Sequence, residues 1–78
     1  MTKEEIEKRA EKTIEEQCEE SGCIREEVLV PSMHHFVAQY LHGQISKFDL
    51  IQFSKYFGVF LDMKSVEELK EKVKRNQA

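Results

Sequence analysis

Polar and apolar positions divide this chain into three zones. From Val28 to Leu61 only Lys47, Asp49 and Lys55 carry a formal charge, and all five Phe and both Tyr fall between Phe36 and Phe60. On either side the chain is mostly charged, with apolar residues recurring at helical rather than alternating spacing. That layout predicts an all-α fold: one small four-helix domain over 1–78, with a long acidic N-terminal helix and three short helices around an aromatic core.

Start and stop signals place the elements. The first helix is expected over Lys3 to Glu20, within an N-terminal segment 1–21. Thr2 and Glu5 suit a capping box, Met1 and Ile6 a hydrophobic staple, and Gly22 stands where a left-handed residue closes a helix. Its stripe is narrow: Ile6, Ala10, Ile14 and Cys18. The pairs Glu4–Lys8 and Glu5–Arg9 have the favourable order for support along the helix. Residues 22–31 read as a connector. The triplet Val28-Leu29-Val30 favours β structure but has no second strand to pair with, and Pro31 biases Val30 away from helix, so an extended segment plugging the core is expected.

The region 32–78 then holds three helices. The second is expected from about Met33 to His42, capped by Ser32 and ended by Gly43, with Met33, Phe36, Val37, Tyr40 and Leu41 on one face. The third is expected from Lys47 to Phe57, capped by Ser46 and ended by Gly58. The fourth is expected from Val66 to Arg75, with Ser65 and Glu68 as a capping box and Val66, Leu69 and Val73 as its stripe.

The third helix carries the most functional information. At about 100° per residue, Leu50, Phe53 and Phe57 share one side, while Phe48 and Ile51 fall roughly opposite with Lys55 between them. A helix with two apolar faces is either sandwiched in a core or turns one face to a partner. Phe48, Ile51, Tyr56 and Lys55 are therefore the candidate partner-binding residues, aromatic side chains being frequent anchors of protein interfaces.

Charge sharpens this expectation. The 78 residues carry a net charge of −3. Residues 1–27 hold ten Glu against five Lys or Arg, a balance of −5, while 28–61 and 62–78 each come to +1. An acidic chain argues against a phosphate-binding surface. A thin core, in a chain this short, leaves room for stabilisation by a partner or a second copy. The N-terminus has no apolar run of signal-peptide type and no stretch is long enough to span a membrane, so the expected compartment is the cytoplasm, with Cys18 and Cys23 as reduced thiols.

Other chemistries have weaker support. Gly43-Gln44-Ile45 between the second and third helices has the length of a helix-turn-helix turn, which would set Lys47, Gln52 and Lys55 against DNA. Gln39 and Asp49, however, fall at positions that this motif fills with small or apolar residues. Cys18 and Cys23 with His34, His35 and His42 could in principle hold zinc. Cys18 belongs to an apolar stripe, though, and His35 and His42 stand two turns apart. His34-His35 could serve as a base or pH sensor, but no nucleophile with a matching partner is available, since Ser32, Ser46 and Ser65 read as caps. The glycines form no phosphate loop, and Asp49 and Asp62 are isolated. The expectation is a non-enzymatic protein-interaction domain without cofactor or small-molecule substrate, acting on a protein partner or as a homodimer, with a DNA-binding regulator as the alternative.

Overall fold

The computed structural model describes residues 1–77, and side chains as far as Asn76. The fold is all-α, with four helices packed around a buried aromatic cluster and no strands among the described residues. They are α1 (Lys3–Ser21), α2 (Arg25–Leu41), α3 (Lys47–Phe57) and α4 (Met63–Gln77).

Local chemistry accounts for most boundaries. Thr2 caps α1, its Oγ1 accepting from the Glu5 amide at 3.2 Å. Ser46 caps α3 in the same way, accepting from the Asp49 amide at 3.1 Å. Gly22 and Gly58 close α1 and α3 at φ of 70° and 67°, a left-handed conformation that a side chain would strain.

Three expectations are corrected. Residues 22–31 are not an extended connector: only 22–24 lie outside helix, and α2 begins at Arg25 and runs through Pro31. At 17 residues α2 is not a short helix. Proline inside a helix costs about 3 kcal/mol, because it removes one hydrogen bond and crowds the preceding turn. Here burial outweighs it. Val28, Ser32, Phe36 and Tyr40 repeat at i,i+4, with Met33 beside them, and all five are buried in that single helical register. An extended segment would turn alternate residues of the triplet to solvent. Glu26 and Glu27 in the first turn also suit the positive end of the helix dipole.

Ser32 is consequently no cap. It lies in the helix interior with 0% exposure, and its hydroxyl has no hydrogen-bond partner. The third correction concerns α4, which starts three residues before Val66. Asp62, not Ser65, is its cap: Asp62 Oδ1 accepts from the amides of Lys64 at 3.1 Å and Ser65 at 3.5 Å, and Oδ2 from the Ser65 hydroxyl at 2.9 Å.

Packing is uneven. α1, α2 and α3 each lie against the other two, whereas the backbone of α4 comes close to that of α2 alone among the described residues. The core joins Ile6, Ala10 and Ile14 of α1 to Val28, Met33, Phe36 and Tyr40 of α2, Leu50, Phe53 and Phe57 of α3, Ile45 and Val66. At its centre the Phe36 and Phe53 rings stack with centroids 3.8 Å apart and planes 12° from parallel. Phe57 sits 5.9 Å from Phe36. The aromatic block is not wholly interior: Phe48 is 65% and Phe60 91% exposed. No described helix is long and apolar enough to cross a membrane.

Candidate interaction surface

The two faces of α3 have separate fates. Its inner face buries Leu50, Phe53, Phe57 and also Asp49. Asp49 is 8% exposed, and its carboxylate lies 3.3 Å from the Met1 ammonium. On the outer face Phe48 and Lys55 are exposed and Ile51 and Gln52 are half-buried. Phe48, Ile51 and Lys55 follow one another at i, i+3 and i+7, so they form one ridge along the helix.

Tyr56 stands apart from that ridge. Eight positions after Phe48, it lies toward α1, half-buried, with its hydroxyl donating to Glu11 Oε2 at 2.6 Å and its ring edge-on to Phe57. Glu11 also receives a two-pronged contact from Arg25, whose guanidinium nitrogens donate to the two carboxylate oxygens at 2.5 and 2.6 Å. One carboxylate thus ties α1 to the start of α2 and the end of α3. The hydrogen bond from Arg25, then that from Tyr56, hold the Glu11 carboxyl down to about 2. The same carboxylate pushes the Tyr56 phenol up, and the Arg25 guanidinium further above its ordinary value. Of the four candidate residues, the structure gathers Phe48, Ile51 and Lys55 on one face and sets Tyr56 at its edge.

The charge of this face follows from its composition. The formal charges of α3 are Lys47, Asp49 and Lys55. Asp49 is withdrawn, so α3 presents apolar and cationic groups and no exposed carboxylate. Lys47 Nζ lies 3.9 Å from Glu67 Oε1 on α4, both side chains being well exposed. The ion pairs found among the described residues join different elements. Glu4–Lys8 and Glu5–Arg9 do not close, consistent with the small gain that exposed pairs return for ordering two long side chains.

Other large apolar residues are exposed: Ile24 and Phe60, together with Val30, expected to plug the core, and Leu69, expected in the stripe of α4. Phe60 carried a readable signal. It lies between the stop at Gly58 and the cap at Asp62, outside any helical stripe. The surface offers little other chemistry. His34, His35 and His42 are exposed, Cys18 and Cys23 are half-buried free thiols, and no three His, Cys, Asp or Glu groups among the described residues converge as a metal site.

No protein-family model, curated protein or solved structure matches the chain.

Proposed function

We propose that this chain is a non-enzymatic protein–protein interaction domain, a small adaptor, assembly factor or regulator that presents the outer face of α3 to a larger protein or to a second copy. The observation that carries this reading is Phe48: 65% exposed on an ordered helix whose other face is fully used in the core. A large aromatic side chain left in water on a rigid element is the kind of group that anchors an interface. Lys55 and Lys47 flank it without a neighbouring exposed acid on α3, so the surface best complemented is apolar and acidic.

The test is Phe48→Asp. Phe48 is the second residue of α3, where an acid suits the helix dipole, so the substitution preserves the helix. It should leave helicity and melting unchanged and abolish association. The readout is absolute mass by light scattering over a range of concentrations in reductant, alone and with material co-purified from the native cell. A species near twice 9.2 kDa that Phe48→Asp dissociates assigns the face to a second copy. A larger complex lost in the variant assigns it to another protein. A variant that unfolds places Phe48 in the core and ends the reading. Binding to mixed-sequence duplex at low salt would favour the DNA-binding alternative, because non-specific affinity appears there first.

A further inference from the structure

The fourth helix is attached unlike the others. α1 buries four residues, α2 five and α3 four, while on α4 Val66 is the one buried residue among those described. Leu69, one turn further along the stripe, is 46% exposed. The polar attachments of α4 converge on a single side chain of α2. Tyr40, 4% exposed, donates its hydroxyl to Glu67 Oε1 at 2.5 Å, and Lys70 Nζ lies 3.8 Å from the centre of its ring. Met63, at the start of α4, packs half-buried against the core, and a loose ion pair runs from Lys47 to Glu67.

The joint is equally distinctive. Gly58 closes α3 with bonds to Lys55 and Ser54 carbonyls, and Asp62 caps α4 with bonds to Lys64 and Ser65. Both terminations are made within a few residues of chain. Neither depends on α4 resting against α2. Val59 belongs to the first closure, its amide donating to the Ser54 carbonyl at 3.2 Å, and packs on the core, so the turn falls at Phe60, which is 91% exposed, and Leu61. We propose that α4 is a releasable strap: it leaves α2 about Phe60 and Leu61 while α1, α2 and α3 stay packed, and its departure uncovers the ring and hydroxyl of Tyr40. Away from α2, a 15-residue helix is too short to persist on its own, so release also loosens its backbone hydrogen bonds.

Native-state hydrogen exchange on the full chain tests this. Amides of Glu67 to Arg75 should exchange through an opening at least tenfold more frequent than the one that exposes the amides of Phe36 and Phe53. Tyr40→Phe keeps the ring and removes the bond to Glu67. It should raise the α4 opening by about another tenfold, the scale of one hydrogen bond to a charged group, and leave the α1–α3 amides unchanged. Exchange of α4 in step with the core would overturn the proposal. So would a Tyr40→Phe chain in which all four helices loosen alike.

Discussion

Glu11→Gln removes the charge that joins three helices while keeping the shape of the side chain. In the wild-type chain Glu11 accepts from both guanidinium nitrogens of Arg25 and from the Tyr56 hydroxyl. These bonds bring its pKa from 4.5 to about 2. A displacement of that size is worth about 3 kcal/mol in a site sealed from water. The Glu11 side chain is 45% exposed, and solvent screening leaves about 1 kcal/mol of it. The sign is set by the direction. A carboxyl depressed in the folded state contributes stability that is present above its unfolded value of 4.5 and lost as pH falls through 4.5 toward 2. Glu11→Gln should therefore lower stability by about 1 kcal/mol at pH 7, roughly 4–8 °C in melting temperature for a domain this small. The deficit should shrink to nothing near pH 2. Urea unfolding followed by helical circular dichroism across pH 7 to 2, wild type against variant, measures both quantities. A deficit that is constant over the whole range, or absent at neutral pH, would refute the argument that the charge holds this junction.

Three further outcomes follow from the packing. Ser32→Ala removes a fully buried hydroxyl that has no partner, so the variant should be as stable as the wild type or up to about 1 kcal/mol more stable by urea unfolding, where loss of a satisfied group would destabilise. Pro31→Ala should raise stability by at least about 1 kcal/mol, because it restores a backbone donor inside α2 and relieves crowding against the preceding turn. The Tyr40 phenol is pushed up from 10 to about 12 by its bond to Glu67 and by burial. The stability it contributes is therefore full below pH 10 and lost as pH rises through 12, and alkaline unfolding curves of Tyr40→Phe should lack that slope.

How much was legible in the chain depended on whether a local signal had a competitor. Ser46 and Gly58 bracket α3 with nothing nearby to contradict them, and its two faces were readable from spacing alone. α2 was misread because two local rules, the β preference of Val28-Leu29-Val30 and the bias that Pro31 places on Val30, both pointed away from helix. The i,i+4 line from Val28 through Ser32 to Phe36 runs straight across them, and core burial decided in its favour. Asp62 was eclipsed by Ser65, an equally good cap three residues on that serves instead as the third residue inside the helix.

The Glu11 junction had no sequence signal. Its partners lie 14 and 45 positions away, so only the mutual packing of α1, α2 and α3 brings them together. A helical wheel sets Tyr56 about 80° from Phe48, on a flank between the core face and the outer ridge. The wheel shows that a residue is off the core face, but not which neighbouring helix occupies the flank.

The central claim is that the face carrying Phe48 is occupied by a protein, and cross-linking from that position addresses it most directly. A photoreactive phenylalanine analogue at position 48, in the full chain at native abundance, should give a discrete adduct heavier than the chain. The same probe at Glu19, exposed on α1, should give little. No adduct from position 48, or equal yields from both positions, would contradict the account.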